Sequence, residues 1–177
     1  NNRPHFTTGL PSDPSPTSWP FRVVAGGSAD TERAWYLRQR LAADPSFTEA
    51  EALALGTDGY MIPHQTLVPR LAKAWELYGA EHPQKERLKT AVEVLTGWNG
   101  QAETDNAAPT IFLVWLFKWK DTTSLSVADL VFPDPVPTAV EAKDMLDGLA
   151  EGLDLLESVA GFFQIPWGLV HPIAKNG

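Results

Sequence analysis

Hydrophobic positions recur at helical spacing from residue 30 onward and at no regular spacing before it. Residues 1–29 are rich in Pro, Ser, Thr and Gly, and Pro11, Pro14, Pro16 and Pro20 forbid a regular helix and disfavour a central strand. The segment reads as an extended arm. Trp19, Phe21, Val23 and Val24 make it too aromatic for a free linker and would pin it to a core. Asp30 or Thr31 can cap a helix running to about Ala43, with Ala34, Leu37 and Leu41 as its apolar stripe; Asp44-Pro45 ends it. Thr48-Glu49-Ala50-Glu51 is a capping box, in which the Thr hydroxyl and the Glu carboxylate each satisfy an orphan backbone donor. It opens a helix carrying Ala52 and Leu55 that stops near Gly56.

Pro63 and Pro69 interrupt the next segment, Thr57 to Tyr78, which predicts one kinked helix or two short ones, with Pro69 at a first helical position. Leu71, Ala74, Trp75 and Tyr78 then share a face, and Gly79 closes the helix. Pro83 opens another, with Leu88, Val92 and Leu95 aligned, and Gly97 and Gly100 flank Trp98 at its end. Residues 107–119 form the most apolar run, shorter than the roughly 20 residues of a membrane span. Being apolar all round, the run predicts a helix buried centrally in a helical domain. A loop over 121–137 leads to a second capping box, Thr138-Ala139-Val140-Glu141. The helix after it carries Ala142, Met145, Leu146, Leu149, Leu153, Leu156 and Ala160, and Gly161 fits its stop. The tail from Ile165 to Pro172 leaves the helix again. The expected fold is mainly α: an irregular, orthogonal multi-helix bundle of about six helices with an extended Pro-rich N-terminal arm. The arm, 1–29, would pack on a helical subdomain, 30–177, in one domain overall.

Composition narrows the function classes. The 177 residues carry a net charge of −8. Without a Lys/Arg cluster, this argues against a nucleic-acid or anionic-membrane partner. The absence of Cys excludes disulfides, thiolate nucleophiles and Cys-bound zinc, and leaves the compartment open. His5, His64, His82 and His171 form no His-x-x-x-His pair, so neither a metal nor a cofactor is expected. His64 reads as a structural hydrogen-bonding residue, and His82, before Pro83, as part of a surface loop. Carboxylates such as Glu49/Glu51 and Asp144/Asp147 sit where they favour helix dipoles and solubility; a glycosidase dyad would need two of them converging in a cleft. No nucleophile elbow, phosphate loop or dinucleotide fingerprint is present; Ala25-Gly26-Gly27-Ser28, before a helix, could cradle an anion but reads first as a plain turn. The start at Asn1-Asn2-Arg3-Pro4-His5, with neither Met nor a signal segment, predicts a piece of a longer protein, with a mature chain after signal removal as the alternative.

Several spacings coincide with one family. Asn1-Asn2-Arg3-Pro4 resembles the Asn-containing segment that leads out of the catalytic sheet in the penicillin acylase family. The helix with Arg33 and Leu37-Arg38, the one opened by Phe47-Thr48, and the stretch from Asp58 to Leu67-Val68-Pro69-Arg70-Leu71 come in that family's order. Leu95-Thr96-Gly97-Trp98-Asn99-Gly100 resembles an element that ends tryptophan, aspartate, glycine, with Asn99 in place of the aspartate. Ala107 to Phe112 with Trp115 resembles the buried helix after it. Trp167-Gly168-Leu169-Val170-His171 resembles the "tryptophan, glycine, two residues, histidine" element that returns toward the catalytic sheet. The resemblance extends to cyclic-lipopeptide and acyl-homoserine-lactone acylases among the family's members, with the subfamily left open.

The resemblance implies the helical region of the second chain of an N-terminal-nucleophile hydrolase. In that family a serine at the start of the second chain attacks an amide carbonyl, with its own α-amino group as base. A backbone N–H and an asparagine amide hold the oxyanion. Only the asparagine can lie in this chain: Asn1 by alignment, Asn2 second, with a residue before Asn1 left open. The nucleophile lies elsewhere, so the isolated chain is expected to be inactive. Implied partners are the catalytic sandwich and first chain of the hydrolase and, in the parent, a small acyl amide; implied location is periplasmic or secreted in a bacterium, with cytoplasmic left open. Residues 1–6 and 168–177 are expected close in space. The alternatives are a free-standing helical module that binds an apolar ligand or a partner protein, and a carboxylate-dependent hydrolase.

Overall fold

The computed structural model describes residues 32–120 and 136–171, with side chains from residue 35 onward. The arm with its four aromatic and branched anchors, the Asp30/Thr31 cap, the Ala25–Ser28 turn, most of the 121–137 loop and the expected meeting of the two termini lie outside the described residues. Among those residues the chain is all α, with seven α-helices and one isolated antiparallel bridge, Tyr60 to Gln101. It divides into two compact units at Asp58/Gly59.

In the first unit, α1 (Glu32–Ala43) and α2 (Glu49–Gly56) are joined by a turn. The Asp44 carboxylate builds that turn by accepting from the Ser46 backbone N–H at 2.9 Å and the Ser46 hydroxyl at 2.8 Å. The capping box forms in full: the Glu51 N–H donates to Thr48 Oγ1, and the Thr48 N–H donates to the Glu51 carboxylate at 2.7 Å. The stripe does not become a core. Leu41 is 50% exposed, and α2 has no buried residue. The Tyr36 hydroxyl, on α1, instead donates to Asp58 at 2.6 Å and ties the end of the unit to its start.

The second unit holds the core. α3 (His64–Tyr78) runs through a 3-10 turn, Gly79–Glu81, to α4 (Lys85–Thr96), then α5 (Ala108–Lys120), α6 (Ala139–Ala160) and α7 (Trp167–Val170). α6 is the organising helix, packing on both α5 and α3. Its apolar stripe, Ala142, Met145, Leu146, Leu149, Leu153 and Leu156, is buried as the period predicts. The stripe ends before Ala160, which is exposed. Gly161 stops the helix at φ 81°, the left-handed conformation that glycine adopts without a Cβ penalty.

Four details depart from the sequence reading. Pro69 lies inside α3, not at its start; Pro63 is the N-cap. Proline there removes one N–H and frees the Gln65 carbonyl. Both residues face solvent, so water can take the place of the lost bond. Pro83 does not open α4: it lies in the turn between the 3-10 segment and the cap, Gln84, and the helix starts at Lys85. α5 is central only in its first half. Phe112 and Trp115 are buried but Phe117, which lies nearly opposite Trp115 on the helix, is 53% exposed. The second capping box is half formed. Thr138 Oγ1 accepts from the Glu141 N–H, while the Glu141 carboxylate turns to Arg70.

α5 and α6 run antiparallel, as Gly148 faces Trp119 and Gly152 faces Trp115. A Cβ on Gly148 would stand 2.8 Å from Trp119 Cα, so glycine sets how closely the two backbones approach. Trp115 donates its indole N–H to the Met145 carbonyl at 3.0 Å and stacks on Trp119 at 5.6 Å. A buried aromatic with a polar edge is thereby satisfied.

Candidate functional site

Of the segments that carry the family spacing, Leu67 to Leu71, Leu95 to Gly100, Ala107 to Trp115 and Trp167 to His171 lie in the second unit. α4 ends in a corner, Trp98-Asn99-Gly100-Gln101, folded over the start of α3. Trp98 is buried. It donates its indole N–H to the Gln101 carbonyl at 2.8 Å and packs on Phe112 of α5. Asn99 Oδ1 accepts the Gln101 N–H at 2.9 Å, closing an Asx turn that any carboxylate or amide oxygen could close. Gly100 has φ 84°, and a Cβ there would meet the Tyr60 ring at 2.5 Å, so the position needs glycine twice over.

His64 fastens this corner. Its Nε2 meets the Trp98 carbonyl at 2.9 Å, its ring lies edge-on to Trp98, and Tyr60 Oη stands 3.5 Å from Nδ1. A bond to a carbonyl requires a proton on Nε2. Burial pushes the imidazole pKa below its ordinary 6.5, opposed by the bond to the Trp98 carbonyl. His64 is therefore a neutral structural donor, in keeping with its sequence reading. His82 is not a free loop residue. It accepts from the Gln84 N–H and reaches Asp147 of α6 at 3.1 Å, with only 12% of its side chain exposed.

The tryptophan-glycine element docks through its backbone. The Trp167 N–H donates to the Asn106 carbonyl at 2.9 Å and the Gly168 N–H to the Thr104 carbonyl at 2.8 Å. A Cβ on Gly168 would come 3.0 Å from that carbonyl oxygen. Trp167 and His171 lie ring on ring, 3.9 Å apart. The other anchor had a signal in the sequence that the motif reading passed over. Arg70 stands on the face of α3 shared by Leu67, Leu71 and Ala74, and a lone Arg on an apolar face needs an anion. It is buried and makes a two-point pair with Glu141.

Nothing in this arrangement is set up for nucleophilic attack among the described residues. Their two serines, Ser46 and Ser158, donate to the Asp44 carboxylate and to the Leu155 carbonyl. The carboxylates lining a groove of about 500 Å³ in the first unit are each tied locally: Asp44 to Ser46, Glu51 to Thr48, Asp58 to Tyr36. The two bonds from Ser46 hold the Asp44 pKa below its ordinary value, the wrong direction for a general acid at neutral pH. No described group of three His, Asp or Glu could hold a metal ion. Asn1 and Asn2 lie outside the described residues.

The described part is thus an all-α scaffold in which motif residues fasten helices to one another. The chain matches the penicillin amidase family over residues 1–176, essentially its whole length, and belongs to that family. No curated protein matches it.

Proposed function

We propose that this chain is the helical part of a penicillin-acylase-like amidohydrolase whose nucleophile lies outside these residues. The observation that carries the reading is the family match over residues 1–176, joined to a structure whose motif residues act as fasteners. On this reading the serine that attacks the acyl amide belongs to the catalytic sandwich, and its α-amino group takes the hydroxyl proton. The helical part supplies one oxyanion donor, the side-chain amide of Asn1, with Asn2 as the alternative. No described helix is long and apolar enough to cross a membrane, and family membership supports export to the periplasm or beyond the cell.

The test is made in the whole hydrolase. Asn1→Ala and Asn2→Ala are compared for kcat on an acyl amide. The expected result is a loss of ~10²–10³ in one of the two, with the fold intact. If neither variant slows turnover, the oxyanion assignment fails.

A further inference from the structure

Two asparagines in the second unit sit in the same local geometry and differ in the residue that comes next. Asn99 Oδ1 accepts the Gln101 N–H at 2.9 Å, and Asn106 Oδ1 accepts the Ala108 N–H at 2.9 Å. Asn99 is exposed and precedes Gly100; Asn106 is half-buried and precedes Ala107. That contrast bears on a reaction open to any asparagine: attack of the next residue's backbone nitrogen on the side-chain carbonyl carbon. A glycine in the next position has no Cβ to obstruct the five-membered ring that results.

We propose that Asn99-Gly100 is a self-modification site, at which Asn99 loses ammonia through a succinimide and becomes aspartate and isoaspartate. The Gly100 nitrogen, once it has lost its proton to hydroxide, bonds to Asn99 Cγ, and the C–Nδ2 bond breaks to release ammonia. Water then opens the ring at either carbonyl. Opening at one gives aspartate, and opening at the other gives isoaspartate, in which the chain runs through the side chain. No electron is gained or lost, and the only co-reactant is water.

Three observations favour this site. Gly100 is buried, but its N–H has no hydrogen-bond partner among the described residues, so the attacking nitrogen is not held in a bond of its own. The Gln101 N–H is already aimed at Asn99 Oδ1, the oxygen that becomes negative as the ring closes, and a donor so placed favours the tetrahedral intermediate. The side chain is exposed, leaving ammonia a free path out.

The product acts on the corner that fastens α4 to α3. Isoaspartate inserts one extra backbone carbon between Trp98 and Gly100. Both are tethered, the Trp98 carbonyl to His64 at 2.9 Å and the Gly100 carbonyl to the Met61 N–H at 2.8 Å. The two tethers cannot both keep their length across a longer chain. Aspartate keeps the chain length and places a negative charge just beyond the C-terminus of α4, where the helix dipole opposes it and a charge-assisted bond from Gln101 offsets it.

The experiment is incubation of the folded chain in mildly alkaline buffer, then peptide mapping with fragmentation that separates aspartate from isoaspartate. Asn176, which also precedes a glycine, reports that the conditions suffice. The expected result is conversion at Asn99 at least about tenfold faster than at Asn106, with both isomers present and no acidic product at that position in Asn99→Gln. Conversion at Asn176 with Asn99 still an amide, or Asn99 converting no faster than Asn106, overturns the proposal.

Discussion

Arg70 on α3 and Glu141 in the first turn of α6 form a two-point ion pair, with Nε 3.1 Å from Oε1 and Nη2 on Oε2. The partners are unequally placed: the Arg side chain is 7% exposed and the Glu side chain 29%. Removing the Glu strands a guanidinium in the interior. Removing the Arg leaves a carboxylate that can reach water and turn back to the Thr138 N–H, completing the capping box. Glu141→Ala should therefore cost about 3 kcal/mol and Arg70→Met clearly less. Urea denaturation of both variants checks the order, and an equal or larger loss in Arg70→Met would show that the pair is not what makes this contact sensitive.

Gly148 and Gly152 occupy adjacent turns of α6 and predict opposite outcomes. A Cβ at 148 meets the Trp119 backbone at 2.8–2.9 Å, which cannot swing aside as a side chain could. At 152 the nearest atoms are Val114 Cγ1 at 3.3 Å and the Trp115 nitrogen at 3.4 Å. Gly148→Ala should destabilise by about 1–3 kcal/mol through overpacking. Gly152→Ala should be close to neutral, the gain in helix propensity of about 1 kcal/mol offsetting a small shift. Thermal unfolding of the two variants distinguishes them.

Gly100 and Gly161, the two left-handed glycines among the described residues, differ in their surroundings. At Gly161 nothing lies within 4 Å of a built Cβ, so Gly161→Ala carries only the conformational cost of about 1–2 kcal/mol. At Gly100 the same cost adds to a clash with the Tyr60 ring and with His64 Nδ1. Gly100→Ala should be the more damaging of the two, read as a larger fall in Tm.

His64 makes stability depend on pH. Its folded pKa lies below the unfolded value of 6.5, so the unfolded state binds the proton more readily. The stabilising contribution is complete above 6.5 and is lost as pH falls from there through the lowered folded value. Unfolding free energies measured between pH about 7.5 and about 5 should fall toward acid in the parent chain. They should fall less in His64→Gln, whose amide can still donate to the Trp98 carbonyl. An unchanged slope in the variant would assign the pH dependence to other groups.

What the sequence reveals divides by range. Interactions within one or two turns are legible: the Thr48–Glu51 box, the Gly161 stop, and the stripes of α4 and α6 are all set by residues a few positions apart. Interactions that choose between local and distant partners are not. Glu141 at the third position of a helix fits a capping box, but a buried Arg 71 residues away competes for it and wins. Pro69 fits a helix start, yet its solvent-facing side lets the helix run through it. Leu41 fits an apolar stripe, yet half of its surface stays exposed, which spacing within one helix does not determine. Trp98, Gly100, Trp167 and Gly168, which carry the family spacing, hold loops against helices at places where a side chain or a Cβ decides the fit. The proposed oxyanion donors, Asn1 and Asn2, rest on the family resemblance and lie outside the described residues.

The central claim is that these residues form part of an amidohydrolase whose nucleophile is elsewhere. Acyl-amide hydrolysis measured on this chain alone, and again on the hydrolase that contains it, tests that claim most directly. The chain alone should show no turnover above the uncatalysed rate, and the hydrolase full turnover, abolished when its N-terminal serine is changed to alanine. Hydrolysis by the chain alone, or a hydrolase that survives loss of that serine, would contradict it.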